Sequence, residues 1–165
     1  MSHVRRLESW PPPQPRKPMR FLSTDEVERL IEVVPREWKA FVLLAAWGGL
    51  RFGEIAALTT DRIDFDRRQV RVEETLSEVA GRLHIGPTKT KASRSVALPA
   101  FVMNAIASHV GAWPETPIMV FRSPEGSLVR RSNFRNRVWL PAVRAAGVEP
   151  LRIHDLRHTA PKAVS

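Results

Sequence analysis

The stretch 153–159, which reads IHDLRHT, combines a side chain that can transfer a proton with a cationic one. His154 and Arg157 lie three residues apart, so on a helix they would share one face. An imidazole changes its charge near neutral pH, and a guanidinium is a planar fork of donors that matches phosphate or carboxylate oxygens. The spacing therefore predicts an oxyanion held by Arg157 with a proton-transferring group beside it.

A metal site is the rival interpretation of this stretch, because His158 follows His154 by one helical turn. Zinc prefers Cys, His and acidic ligands, and the chain contains no cysteine. The neighbouring Asp155 would point off the face that carries the two histidines. We therefore predict that no metal binds here.

A second arginine follows two glycines in the stretch 48–54, which reads GGLRFGE. The glycines can end one helix in a turn, which would place Arg51 at the start of the next helix. The free N–H groups and the positive dipole end of a helix N-terminus attract anions, and Arg51 would add to that attraction. The alternative is a surface ion pair between Arg51 and Glu54, which stabilises little.

A third group of donors lies in the stretch 86–94, which reads GPTKTKASR, between two predicted strands. A lysine on a hairpin tip can swing into a substrate groove. Its ammonium can neutralise a phosphate, or give up a proton if neighbouring cations lower its pKa. The alternative is an ordinary solvated turn, since charged residues are common in exposed loops.

Helices must carry most of these side chains. Ser23 followed by Glu26 is a capping-box signature, and apolar residues at helical spacing continue from it to Val34. Further helices are predicted over about 36–47, from about 51, over 99–110, over 133–146 with Pro141 inside it and Gly147 ending it, and from about 154. The folded domain would begin near Phe21, after a Pro- and Arg-rich linker over 1–20.

Residues 69–98 change to strand character. Apolar residues alternate with polar ones at Val70 and Val72, at Leu83 and Ile85, and at Val96 and Leu98, with a turn at Ala80-Gly81. The stretch 118–121 predicts a short buried strand or extended segment. The expected fold is therefore α+β and mainly α-helical, with helices packed against one small three-stranded antiparallel sheet.

Composition narrows the class of partner. Lysine and arginine number 26 against 17 acidic residues, a formal charge of +9 that favours a polyanion such as nucleic acid. A GC-rich genome, which encodes arginine often, would explain the same bias without any such partner. The absence of cysteine excludes a disulfide framework and a thiol nucleophile. No apolar run approaches the roughly 20 residues of a membrane span, so we expect a soluble, cytoplasmic protein with no membrane partner.

Taken together and in this order, the three segments resemble the catalytic domain of the tyrosine recombinases, the phage integrase family. The family's active site combines an arginine in a G-L-R-x-x-E-like motif, a lysine on a β-hairpin and an H-x-x-R motif. These correspond here to Arg51 with Glu54, to Lys89, and to His154 with Arg157. The similarity runs from about Arg16 to Thr159, and HDLRHT is its most specific string.

The resemblance implies DNA integration or site-specific recombination, in which a tyrosine attacks a phosphodiester and forms a 3′-phosphotyrosyl link. Neither a metal nor ATP nor another cofactor is then needed. Four residues would act on the phosphate: Arg51, Lys89, His154 and Arg157. Three would orient them: Glu54, Asp155 and His158. Four more would contact DNA: Lys91, Arg94, Arg130 and Arg131. The implied partners are double-stranded DNA and further recombinase subunits on it.

The sequence departs from the family at both ends. The family continues to a further His or Trp and then its tyrosine, whereas residues 160–165 read APKAVS and the chain contains no tyrosine. Pro161 would also disturb a helix begun at His154. Family members usually carry an N-terminal core-binding domain as well. We therefore expect 21–165 to be an integrase-type catalytic domain that is C-terminally incomplete and unable to cleave.

Two alternatives stay open. The chain would be a non-enzymatic DNA-binding fragment or a relic of a prophage integrase, or it would be an unrelated basic nucleic-acid-binding module in which the motifs are coincidence. A pocket that gathers Arg51, Lys89, His154 and Arg157 would exclude the unrelated module. Scattering of these side chains over the surface would exclude a recombinase.

Overall fold

The computed structural model describes residues 15, 20–90, 92–116 and 118–158. The α-helices are α1 Thr24–Val33, α2 Arg36–Gly48, α3 Phe52–Ala56, α4 Ala100–Gly111, α5 Arg131–Phe134 and α6 Leu140–Ala146. A π-helical segment, Arg135–Trp139, joins α5 to α6, and two 3₁₀ turns span Thr60–Arg62 and Ile153–His158. The strands are β1 Ile63–Asp64, β2 Gln69–Val72, β3 Glu74–Val79, β4 Arg82–Pro87 and β5 Arg94–Ala97. This mixed architecture confirms the predicted α+β class.

The core forms around α2, which is buried along most of its length. An aromatic cluster joins it to neighbouring elements: the Phe41 ring lies 5.3 Å from Phe52, 5.1 Å from Phe121 and 4.8 Å from Phe134 between centroids. Phe41 and Phe121 are fully buried. Because α3 carries Phe52, this cluster fixes the start of α3 against α2, where the first two predicted site segments meet.

The predicted sheet is divided into two. Strands β1, β2 and β5 form an antiparallel sheet in that order, while β3 and β4 pair only with each other. Residues 69–72 pair with 94–97, whereas 74–79 fold back on 82–87. Positive φ angles at Ala80 (51°) and Gly81 (76°) form the tight turn that the sequence predicted. The two-residue strand β1 and the separation of β3 from β2 were not expected.

The β3–β4 hairpin packs closely on α3. A Cβ atom added at Gly53 would collide with the Thr75 hydroxyl and would lie 2.5 Å from the Leu76 carbonyl oxygen. Leu76 is buried at the same contact. The missing side chain of Gly53 therefore allows the hairpin backbone to approach the helix that follows Arg51.

The helix predicted over 133–146 is interrupted. It begins at Arg131, passes through the π-helical segment and restarts at Leu140, whose N–H donates to the Arg135 carbonyl. Pro141 consequently lies in the first turn of α6, where its missing N–H is tolerated. Gly147 ends the helix in the left-handed region, as predicted, with φ 69°.

The two ends of the described chain also differ from expectation. The helix predicted from about His154 is a 3₁₀ turn, Ile153–His158. Arg20, which the sequence placed in the linker, donates to the carbonyls of Val148 (2.6 Å) and Glu149 (2.9 Å). Apart from Pro15 and Arg20, the linker lies outside the described residues, as does Pro161. Within the described part, no helix is long and apolar enough to cross a membrane.

Candidate functional site

Arg51 occupies the position just before the first turn of α3. Gly49 ends α2 with a φ of 64°, a conformation that glycine adopts readily, and turns the chain toward α3. Leu50 is buried and anchors the turn, while the Arg51 side chain is exposed. Among the described residues, no carboxylate forms an ion pair with that guanidinium. The Arg51 guanidinium is therefore exposed at the N-terminal end of α3.

Arg157 is tied to the same turn from the other end of the chain. Its Nε donates to the Gly49 carbonyl at 2.7 Å, which aims the guanidinium from a fixed point next to Arg51. Burial lowers the pKa of Arg157 from its ordinary value, and the positive charge of Arg51 lowers it further. The Arg157 guanidinium, bound at the turn that Gly49 forms, thus lies close enough to Arg51 to be affected by its charge. The fold therefore brings Arg51 and Arg157 to one place.

Glu54 lies beneath this pair and is buried, with 4% of its surface exposed. Its Oε2 accepts a hydrogen bond from the Arg51 backbone N–H at 2.8 Å, and both its oxygens accept from the Arg94 guanidinium at 2.9 Å. Burial acts to raise the pKa of Glu54, but the bonds from Arg94 and Arg51 outweigh it and hold the pKa below its usual range. The alternative of an ion pair between the Arg51 side chain and Glu54 is thus not observed, because Arg94 takes the carboxylate.

His154 is exposed on the 3₁₀ turn, and its ring centroid lies 6.0 Å from that of His158. Partial burial lowers the pKa of His154, and the charge of Arg157 lowers it further. The neutral imidazole is therefore favoured, and it can accept or donate a hydrogen bond at the surface beside Arg157.

Asp155 is turned away from that surface. It is buried, and its carboxylate accepts from the Arg152 backbone N–H at 3.1 Å and from the Arg152 Nη2 at 3.0 Å. The structure therefore gives Asp155 a local role in closing the 3₁₀ turn that carries His154. No group of three or more His, Cys, Asp or Glu side chains in the described part of the chain could hold a metal ion.

Lys89 lies in the loop between β4 and β5, not on a hairpin tip, which is formed by Ala80-Gly81. The preceding Thr88 is buried, and its N–H donates to the Glu73 carbonyl at 3.4 Å. The Lys89 side chain is exposed and has no hydrogen bond or ion pair among the described residues. The loop is therefore anchored at Thr88, one residue before a lysine whose side chain is exposed to solvent. Lys91 falls outside the described residues.

The other arginines predicted to contact DNA have partners within the protein. Arg94 is bound to Glu54, as described above. Arg130 Nη1 donates to Glu78 at 2.8 Å and to the Gly81 carbonyl at 3.2 Å, so it braces the hairpin tip. Arg131 is exposed and stacks 5.1 Å from the Phe52 ring centroid. Sequence reasoning missed the partner of Arg94, and the only available signal was an arginine on the same face of β5 as the apolar Val96.

Comparison with known proteins identifies the family. Residues 20–164 match the model of the phage integrase family. The chain is 31% identical over 147 residues to the prophage phiRv2 integrase of Mycobacterium tuberculosis, covering 86% of this chain and 39% of that protein. It is 29% identical over 155 residues to the integrase of Salmonella phage P22, covering 89% of this chain and 37% of that protein.

Solved structures show the same fold. The integrase from mycobacterium phage Brujita is 26% identical with a TM-score of 0.65, and the match covers 89% of this chain and 44% of that one. The Tn1549 transposon integrase, solved in complex with a circular intermediate DNA, has a TM-score of 0.76 at 16% identity and covers 87% and 52% of the two chains. This chain belongs to the phage integrase family, which excludes the unrelated basic module. It spans about two fifths of the length of the curated relatives it matches.

Proposed function

We propose that these residues are the phosphate-binding part of a site-specific DNA recombinase, acting on double-stranded DNA in the cytoplasm with further subunits of its kind. The observation that carries this proposal is that Arg51 and Arg157 meet at one turn, where Arg157 binds the Gly49 carbonyl, although the two residues lie far apart in the sequence. Two adjacent guanidinium groups repel each other unless an anion lies between them. A phosphodiester offers two non-bridging oxygens for such a pair.

The reaction implied by the family gives each group a task. A tyrosine oxygen forms a bond to phosphorus while the 5′-oxygen of the DNA leaves and takes up a proton. Arg51 and Arg157 would hold the charge that develops on the non-bridging oxygens. His154, favoured as the neutral imidazole, would hydrogen-bond the phosphate, and Lys89 would reach in from its loop as the general acid.

No tyrosine occurs in the 165 residues, so the nucleophile of that reaction is not among them. The phosphate-binding step is accessible in this polypeptide, because it depends on the guanidinium groups and not on the nucleophile. A second function, DNA binding without cleavage, follows for this polypeptide taken alone.

Binding of a fluorescein-labelled 20-bp duplex, followed by anisotropy at several salt concentrations, tests the proposal. Each phosphate contact contributes about −0.9 to the slope of log affinity against log salt. Arg51→Ala and Arg157→Ala should each weaken binding and flatten that slope by about this amount. Arg144→Ala is the matched control, since it removes the same charge from an exposed pair with Glu149.

Two results would count against the proposed site. Equal losses in Arg51→Ala and Arg144→Ala would mean that only net charge matters. Affinity that does not respond to salt would mean that phosphate contacts do not contribute to binding.

A further inference from the structure

A buried carboxylate, Glu54, lies beneath the two arginines that are proposed to bind a phosphate. Glu54 lies three residues after Arg51, a spacing at which side chains on a helix readily pair. Left to itself, the carboxylate would compete with phosphate for the Arg51 guanidinium. Glu54 nevertheless supports the turn, because its Oε2 accepts the Arg51 backbone N–H at 2.8 Å.

Arg94 binds this carboxylate from the other side. It approaches from the start of β5, and its two terminal nitrogens each donate to one Glu54 oxygen at 2.9 Å. The bidentate geometry is the strongest that an arginine and a carboxylate form. The hydrogen bonds that Arg94 donates to Glu54 in turn raise the pKa of Arg94, so both partners stay charged. The acceptors of Glu54 are then taken up by Arg94 and by the backbone, and not by the Arg51 side chain.

We propose that Arg94 is a positioning residue, which occupies Glu54 and thereby keeps the Arg51 guanidinium available for phosphate. This inference rests on the proposed function of Arg51. Arg94 also stands where the loop that carries Lys89 enters β5, so the same ion pair ties that loop to the start of α3. The role differs from the direct DNA contact that the sequence suggested for Arg94.

Charge-matched variants separate the two roles. Arg94→Ala leaves Glu54 without its partner, so Arg51 should turn to Glu54 and leave the phosphate. Duplex affinity should then fall about tenfold, as it would on loss of a charged hydrogen bond at Arg51 itself. The double variant Arg94→Ala with Glu54→Gln removes the competing carboxylate but keeps an oxygen for the Arg51 N–H. It has the net charge of the original protein, and its affinity should return to within about twofold.

Direct contact makes the opposite prediction for the double variant. If Arg94 itself bound a phosphate, Glu54→Gln could not replace the lost contact, and the double variant would bind as weakly as Arg94→Ala. The slope of log affinity against log salt is a second measurement. It should become shallower by about 0.9 in Arg94→Ala and return to its original value in the double variant. Arg94→Lys should restore binding only in part, because an ammonium cannot fork onto both oxygens.

The controls keep this inference separate from the proposed function. Arg144→Ala with Glu149→Gln repeats the pair of changes at an exposed ion pair and should leave affinity unchanged. Thermal unfolding followed by circular dichroism identifies a temperature at which every variant is folded, and binding is compared at that temperature. If Arg51→Ala does not weaken duplex binding, the proposed function fails. If Arg51→Ala weakens it but Arg94→Ala does not, or if the double variant fails to recover, the positioning role of Arg94 is overturned.

Discussion

Replacing Gly53 by alanine tests whether the hairpin is held against α3 as tightly as the structure shows. On an exposed helix this change would stabilise the fold by about 1 kcal/mol, because alanine is the better helix former. Here the new methyl group would lie 2.5 Å from the Leu76 carbonyl oxygen. An ordinary carbon–oxygen contact is about 3.3–3.6 Å, so β3 would have to retreat by about 1 Å.

The net effect follows from these two opposing contributions. Overpacking of a core site costs about 1–3 kcal/mol, and the upper half applies where backbone rather than a flexible side chain must move. After subtraction of the helical gain, Gly53→Ala should destabilise the fold by about 1–2 kcal/mol. The midpoint of thermal unfolding should fall by about 2–8 °C for a chain of this size.

Urea unfolding followed by far-UV circular dichroism measures the change, with Gly86→Ala as its control. Gly86 lies on β4 of the same hairpin, and a Cβ atom there would have no neighbour within 4 Å. Its substitution should stay within about 0.5 kcal/mol of the original stability. A Gly53→Ala protein as stable as the parent, or more stable, would refute the close approach of β3 to α3.

Three further predictions concern other parts of the molecule. Because partial burial and the charge of Arg157 lower the pKa of His154, its ring protons should titrate with a midpoint below about 6.5. The stability that depends on the neutral imidazole should be lost as the pH falls through that range. Proton NMR measures the midpoint, and a midpoint above that of an ordinary histidine would contradict the stated environment. Trp139→Phe leaves the Leu151 carbonyl without the indole N–H that now donates to it at 2.8 Å. Urea unfolding should therefore show that the free energy of unfolding falls by about 1–3 kcal/mol. An unchanged free energy of unfolding would argue against that hydrogen bond. The 165-residue polypeptide contains no tyrosine, so it should form no covalent adduct with a nicked suicide duplex on a denaturing gel, whereas a shifted covalent band would reveal a different nucleophile.

Local signals in the sequence predicted local structure well. The capping box at the start of α1 is present, with the Ser23 N–H donating to Glu26 at 2.9 Å and the Glu26 N–H donating to the Ser23 hydroxyl at 3.2 Å. The bounds of α2 were predicted within one residue at its C-terminal end, because Gly49 adopts the left-handed conformation that stops a helix. Both features depend on residues a few positions apart, which periodicity and capping rules describe directly.

Features that depend on distant partners were not predictable in the same way. The division of the sheet depends on which strands pair, and alternation of apolar residues is the same for either pairing. The partner of Arg94 lies forty positions away, so the sequence predicted an exposed arginine that contacts DNA and gave no sign of the ion pair with Glu54. The approach of Arg157 to Arg51 was implied by the family resemblance and not by the spacing of either motif. The roles assigned to Arg51, Lys89, His154 and Arg157 stay predictions.

The π-helical segment takes up one extra residue without changing the face that α6 buries. A π turn holds one residue more than an α turn, so five π residues cover about the same rotation as four α residues at about 100° each. Deleting one exposed residue such as Asn136 would therefore let the segment become an α turn while α6 keeps its orientation. Ala142, Val143 and Ala146 would stay buried. A one-codon deletion within α6 itself has no such outlet, because it would turn the residues that follow it by about 100°.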